Sequence, residues 1–232
     1  MSQLLCSTAN ILGAIGHQDI KLRLSRRSDA DRRLRTDMEQ CVSRHFSNVY
    51  DAQITQFMPL LLGLEMQGEI VAVVGLRTAD DEPLFLQQYL DAPIERLISA
   101  ASTLAASTSD IIEVGNLVST SPGMARLLIV ALTHYLYCSE FKWVAFTGTP
   151  LLLNSFSRLT LSPVVLADAD PIRLRDGASQ WGSYYATKPK VMGGYIPEGY
   201  RQLQLSDVFA RVSYTPLYLS VMVAEEANRD CA

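Results

Sequence analysis

The sequence predicts a mixed α/β domain with a central sheet flanked by helices, and three observations carry that prediction. Residues 57–66 and 69–77 are near-continuous apolar runs joined by Gln67-Gly68, the pattern of a hairpin with both faces covered. From residue 94 onward, helical and strand patterns alternate, which places crossovers late in the chain. Residues 110–125 read as a buried strand, a short polar turn and the start of a strongly apolar helix, and the rest of the chain is organised around them.

The elements follow in order. In residues 1–28, Ile20, Leu22 and Leu24 alternate with charged residues and predict a strand over 19–24. A helix follows, with Ser28 or Asp29 as its cap and Leu34, Met38, Cys41, Val42 and Phe46 at helical spacing. Residues 48–52 are an irregular link into the hairpin. Residues 84–90 pack on the sheet, and a helix runs over 94–106, with Pro93 at its start. The central strand comes next, with Gly115 marking a bulge or a close approach to the backbone. The helix over 123–139 has little polar face and is largely buried, so His134 on it reads as a satisfied core histidine. A strand over 143–147, a helix over 151–159 and a short strand over 164–167 complete the alternation. Residues 203–226 read either as a helix interrupted near Pro216 or as a strand, covering a sheet face or forming a homodimer contact. The domain boundaries are an N-terminal segment 1–27, a main domain 28–200 and an extension 201–232.

Composition narrows the function. With 232 residues, 48% hydrophobic and 19% charged, the chain is an ordinary globular protein with a sizeable core. A net charge of −4 argues against non-specific nucleic-acid binding. Residues 21–35 nevertheless carry seven Lys or Arg against Asp29 and Asp31. That stretch reads as a solvated basic helix face or as a docking patch for an acidic partner. Cys6, Cys41, Cys138 and Cys231 are widely spaced, which favours reduced thiols and a cytoplasmic protein. No run reaches transmembrane length, so no stable membrane insertion is expected. Asp168 and Asp170 beside Pro171 form a turn, and no metal site is expected. The Gly-x-Ser-x-Gly elbow, the P-loop and the dinucleotide fingerprint are all missing.

Candidate functional residues cluster around the central strand. Ser119, Thr120 and Ser121 can cap the helix, Pro122 suits its first turn, and Gly123 and Ala125 let a ligand approach the backbone. A helix N-terminus there suits an anionic group. Arg77 ends a buried strand, either in a structural ion pair or holding a carboxylate or phosphate. Trp181-Gly182-Ser183-Tyr184-Tyr185 is either packing or a pocket wall in which a tyrosine donates a proton.

The order of elements resembles the GNAT acyltransferase fold, in which a central strand splays from its neighbour and the next helix begins at the acyl donor's pyrophosphate. Gly123-Met124-Ala125 matches the second half of that superfamily's donor motif, with Thr120 at its Gln or Arg position, and Asn154 to Leu159 resembles its late helix. A closer resemblance is to the thermostable haemolysin family, a GNAT-like group related in layout to acyl-homoserine-lactone synthases. It rests on Phe57 to Leu61, Gly75-Leu76-Arg77, Leu84 to Leu90, Glu113 to Leu117, Phe146 to Thr149, and Trp181 to Tyr185 with Pro189, Val191 and Gly194. The arginine usual three residues after the synthases' glutamate is Asn116 here.

The resemblance implies an enzyme that moves an acyl group, fatty chains included, from a thioester to the amine of an amino acid or small amine. The donor would be acyl-CoA or the phosphopantetheine of an acyl carrier protein, with no tightly bound cofactor. An acyl carrier protein would also suit the basic stretch 21–35. Glu113 is the candidate base or amine anchor, or else a structural partner of Arg77, and Asn116 and Tyr184 complete the catalytic set. Gly115 and Leu117 would offer backbone N–H groups to the thioester carbonyl. Arg77, Phe146, Thr147, Trp181 and Tyr185 would bind substrate. Ser119, Gly123, Met124, Ala125, Arg126 and Asn154 would meet the donor. Two other classes remain open: a membrane-lytic haemolysin, and an inert GNAT-like domain that binds an acyl carrier or a metabolite.

Overall fold

A computed structural model describes residues 10–16, 19–30, 32–79, 83–175 and 178–218. Its strands are β1 (Ile11–Ile15), β2 (Ile20–Arg26), β3 (Leu60–Met66), β4 (Glu69–Thr78), β5 (Ile111–Ser119), β6 (Trp143–Gly148), β7 (Val164–Asp168), β8 (Lys190–Tyr195) and β9 (Tyr214–Pro216). They form one sheet in the order β7-β8-β6-β5-β4-β3-β2-β1-β9. Every neighbouring pair is antiparallel except β5 and β6, which are parallel. The helices are α1 (Arg33–Tyr50), α2 (Ile94–Ala101), α3 (Pro122–Cys138), α4 (Pro150–Arg158), α5 (Ile196–Leu205) and α6 (Val208–Arg211). Phe85–Tyr89 is a 3₁₀ turn. This is the mixed sheet flanked by helices that the alternation predicts.

Helices cover both faces, which is why β3 and β4 lack an alternating pattern. On one face, Leu128, Leu132, Tyr135 and Leu136 of α3 pack on Leu62, Leu64, Val74, Leu76, Ile112 and Val114. On the other, Met38, Val42 and Phe46 of α1 pack on Leu61, Val73 and Val118. Beside them the 3₁₀ turn and α2 cover Ile111, Trp143, Ala145 and Val191. The β3–β4 turn places Gln67 and Gly68 in the left-handed region, as a two-residue hairpin with this twist requires.

Several local expectations need correction. The cap foreseen at Ser28 or Asp29 is not made: α1 starts at Arg33, with Arg32 at its N-cap and no side-chain cap bond. Asp29 instead accepts the Arg26 N–H at 2.7 Å and closes the turn after β2. The strand expected from residue 57 begins at Leu60, after Pro59. Helix α2 stops at Ala101 because nearby serines offer the backbone other partners. Ser99 Oγ accepts the Ala106 N–H and Ser102 Oγ accepts the Leu104 N–H. Strands β1 and β8 carry no prediction above.

The basic stretch is not one helix face, because it spans β2, a turn and the first residues of α1. Arg23 pairs with Glu65 at 2.5 Å, and Arg35 is buried, donating to the carbonyls of Met58 and Pro59 and to Glu39.

β1 and β2 share the main core: Leu12, Ile15, Ile20, Leu22 and Leu24 pack with Leu62 and Leu64. After α5 and α6, β9 pairs with β1 through Gly13↔Pro216, Ala14↔Thr215 and Ile15↔Tyr214. It therefore covers a sheet edge, not a face, and Pro216 suits an edge strand because it donates no N–H. Leu219, Val221, Val223, Cys6 and Cys231 lie outside the described residues. Cys41 and Cys138 are free thiols. His134 is a core residue, with Nδ1 2.5 Å from the Tyr218 hydroxyl and burial lowering its pKa. Among the described residues no helix is long and apolar enough to cross a membrane. Of the two aspartates expected in a turn, Asp170 caps a short one by accepting the Ile172 N–H at 3.0 Å, whereas Asp168 ends β7 opposite Lys190.

Candidate active site in the opening of the sheet

The site begins where β5 and β6 part. Their pairing runs from Ile111↔Trp143 to Val114↔Phe146 and stops there, although β5 continues to Ser119 and β6 to Gly148. The cause is a bulge in β5: Val73 pairs with Val118 but Gly75 with Gly115, so β5 carries one extra residue. Asn116 sits in that interval with φ +50°. Sequence pointed to Gly115 as the bulge residue, but Asn116 takes the left-handed conformation, which asparagine tolerates better than most residues. Gly115 has a different task. A Cβ there would lie 2.6 Å from Met58 Cε, and one at Gly75 would lie 2.8 Å from Met58 Cβ, so the two facing glycines make the seat for Met58.

Met58 in turn fixes the bulge. Its N–H donates to Asn116 Oδ1 at 3.3 Å, while its carbonyl accepts from the buried Arg35 at 2.8 Å. The amide oxygen of Asn116 is thus turned to Met58 and its nitrogen away from it.

Glu113 lies on the α1 face, directly opposite Arg77 across β4 and β5. Only 3% of it is exposed. Oε2 accepts the Phe85 N–H at 2.8 Å and Oε1 the Leu86 N–H at 2.9 Å, so the carboxylate holds the 3₁₀ turn. Arg77 Nη1 lies 3.8 Å from Oε2 and donates to the Pro83 carbonyl at 3.3 Å. Burial outweighs these contacts and raises the Glu113 pKa to about 7. Glu113 is therefore partnered with Arg77, as one of the two readings held, and also faces the cavity.

That cavity, about 640 Å³, occupies the opening and is lined from both faces of the sheet. Glu113, Asn116, Tyr184, Arg77, Gly115, Leu117, Phe146, Thr147, Trp181, Ser119 and Ala125 all line it. Tyr185, Gly123, Met124, Arg126 and Asn154 do not. Asn154 is exposed on α4, and Tyr185 sits behind the wall with its hydroxyl 2.5 Å from that of Tyr89. The helix start is capped as expected, with Ser121 Oγ accepting the Met124 N–H at 3.3 Å. A Cβ at Gly123 would meet only Ser121 Oγ, at 3.6 Å, so that surface is open.

Sequence reasoning missed the wall facing Glu113. Phe46 and Tyr50 of α1, Phe57, Met58, Phe85 and Tyr89 line the cavity beside Trp181 and Tyr184. Tyr50 and Tyr184 meet edge to face at 5.3 Å, and Phe85 and Trp181 lie 5.9 Å apart. The 178–187 segment reaches them by docking on the end of α1: Ser183 N donates to Tyr50 O and Gln53 N to Gln180 O, both at 2.7 Å. Only Trp181 and Tyr184 carried a local signal, because the rest come from segments remote in sequence. Burial raises the Tyr184 pKa, so its hydroxyl stays protonated.

A mixed sheet with one parallel pair opening at a bulge, followed by a helix N-terminus, defines a GNAT-like acyltransferase fold. Solved structures agree on the fold. The AHL synthase LasI superposes with TM-score 0.52 at 13% identity, covering 76% of this chain and 90% of its own. The CoA-dependent acyl-homoserine lactone synthase BjaI gives 0.53 at 10% identity, with 87% and 90% covered. FeeM, an N-acyl amino acid synthase from uncultured soil microbes, gives 0.51 at 12%, with 81% and 98% covered. No curated protein matches the sequence. The family model for thermostable hemolysin matches residues 28–200, and the chain belongs to that family.

Proposed function

We propose that this protein is an N-acyltransferase that moves an acyl group from a pantetheine thioester to the amine of a small molecule or amino acid. One observation carries the reading: the cavity fills the opening between β5 and β6, with Glu113 buried beside its apex and an open strand edge beyond it. The fold shared with acyl-homoserine lactone and N-acyl amino acid synthases supports it.

In the reaction the amine nitrogen attacks the thioester carbonyl carbon, an N–C bond forms, the C–S bond breaks, and thiol and amide leave. The barrier falls when amine and carbonyl are held together and the amine's proton has somewhere to go. Glu113 anchors the ammonium through the acceptor capacity its two backbone partners leave, and with a pKa of about 7 it takes the proton near neutral pH. The Asn116 amide and the N–H groups of residues 115–117 polarise the carbonyl, and the Tyr184 hydroxyl protonates the departing thiolate. The donor arm passes Ser119 and Ala125, with its phosphate near Gly123, Met124 and Arg126 and close to Asn154. Exposed Arg32 and Arg33 are the contacts offered to a carrier protein.

The test is to mix purified protein with acyl-CoA or acyl-carrier thioesters and a pool of amines and amino acids, reading free thiol and new amide masses. Thiol release with amide formation is expected, and Glu113→Gln should lower kcat/KM by about 10²-fold. No turnover of any donor by folded protein would overturn the proposal.

A further inference from the structure

The half of the cavity on the α1 face has an unusual lining for a site that must hold an amine. Phe46, Tyr50, Phe85, Tyr89, Trp181 and Tyr184 surround it, with ring centroids 5.3–6.1 Å apart along the chain Tyr50–Tyr184–Trp181–Phe85–Tyr89. Among the described residues that line the whole cavity, Arg77 is the sole Lys or Arg. Its guanidinium is committed, facing Glu113 across the strands and donating to the Pro83 carbonyl. His45, also in the lining, is held towards its neutral form by burial. The carboxylate of Glu113 lies on this side of the sheet.

A free α-amino acid brings a carboxylate as well as an amine. Within this half-cavity the carboxylate would lose its water and find no uncommitted cation, a cost that grows steeply with burial. An ammonium meets the opposite conditions: a buried carboxylate and the negative faces of several rings. An aromatic ring fits the rest of the wall, where offset and edge-to-face contacts are available.

From this juxtaposition of ring wall, buried carboxylate and single committed cation, we infer that the acceptor is an arylalkylamine, a primary amine that carries an aromatic ring and no carboxylate. The inference rests on the N-acyltransferase reading and narrows its acceptor. The amine sits with nitrogen at Glu113 and ring among Phe85, Trp181 and Tyr184. Before attack the ammonium gives one proton to the Glu113 carboxylate; as the N–C bond forms and the C–S bond breaks the nitrogen loses its second, which replaces the proton that Tyr184 gives the departing thiolate.

Matched pairs test it: phenethylamine against phenylalanine, tyramine against tyrosine and tryptamine against tryptophan, each with a decanoyl thioester of CoA and of a carrier protein. The amine of every pair should be acylated with kcat/KM at least tenfold above its amino acid. Equal use, or preference for the amino acid, overturns the inference while leaving acyl transfer standing. A second measurement reads the acceptor site without chemistry, by titrating tyramine and tyrosine into the protein and following tryptophan emission. Tyramine should saturate at a concentration at least tenfold lower, and the reverse order overturns the inference even if no donor turns over. Trp181→Leu, melting as the parent does, should raise KM for tyramine at least fivefold more than for hexylamine. A uniform change for both amines would remove the ring wall from recognition.

Discussion

Gly182 is the residue whose replacement should unseat the aromatic wall. It adopts φ +50°, and an added Cβ would collide with the Tyr50 carbonyl oxygen and come within 2.6 Å of the Asp51 carbonyl oxygen. Both are backbone atoms at the end of α1, so neither can swing aside as a flexible side chain would. In Gly182→Ala the left-handed conformation alone costs about 1–2 kcal/mol. Relieving the collision means lifting the 178–187 segment, which breaks Ser183 N to Tyr50 O and Gln53 N to Gln180 O. At about 1 kcal/mol each, the total is about 3–4 kcal/mol, borne locally. The chain's other tryptophan, Trp143, is 3% exposed in a separate core, so a Trp143→Phe background isolates the emission of Trp181. In that background Gly182→Ala should shift emission to the red well below the temperature of global unfolding, and acyl transfer should fall with it. Unchanged emission, with a urea-unfolding free energy within about 0.5 kcal/mol of the parent, would refute the reasoning about how the wall is held.

Two further outcomes concern what holds the bulge and its carboxylate. Glu113 has a folded pKa raised by burial to about 7 from 4.5, so its contribution to stability is full below pH 4.5 and is lost as pH rises through 7. The difference corresponds to about 3 kcal/mol, and urea unfolding at pH 5 and pH 8 should show wild type losing up to that much while Glu113→Gln loses less. Parallel pH profiles for the two proteins would remove Glu113 as the source. Arg35→Met keeps the bulk of the side chain but strips the donors from the Met58 and Pro59 carbonyls. It should lower stability by about 2–3 kcal/mol and kcat more than KM, because Asn116 loses the anchor that orients it. A stability loss with kinetic constants unmoved would make Arg35 a packing residue only.

The parts of the fold legible in the sequence were those whose signal is contiguous. The run from Ile111 through the Ser119-Thr120-Ser121 turn to Pro122 and the apolar helix encodes strand, cap and helix start within a few residues of one another, and the helix bounds that the pattern predicts lie within one residue of those observed. Arg77 and Glu113 could be read as candidates, each being a charge in an apolar strand, and the antiparallel register then sets them opposite each other. What stayed hidden depends on contacts between distant segments. The pattern marked Gly115 as special without revealing that its missing side chain makes room for Met58, nor that Asn116 bears the strained backbone. Phe46 reads as the core face of a helix, and in a sense it is, since it packs both with Val42 and against Trp181, whereas Tyr50 falls in a stretch that reads as an irregular link but is the last residue of α1. Strand β8, with Gly193-Gly194 in its middle, carries too little apolar patterning to stand out, although its pairing with both β6 and β7 makes it central to that end of the sheet.

The extra residue in β5 also changes how the strand is to be counted. Before it, odd-numbered side chains such as Ile111 and Glu113 face α1 and the 3₁₀ turn, and even-numbered Ile112 and Val114 face α3. After it the parity is reversed: Val118 packs under α1 and Leu117 under α3. The strand thus has two reading frames joined at Asn116, much as a nucleotide insertion joins two frames in a message. Removing that one residue would restore an ordinary ladder between β4 and β5 and leave Leu117 and Val118 on their present faces, whereas straightening the strand with the residue kept would turn every later side chain inside out. A deletion at 116 would thus close the opening while sparing the packing beyond it, and alignment gaps or designed loops near the site must respect the count before they respect the chemistry.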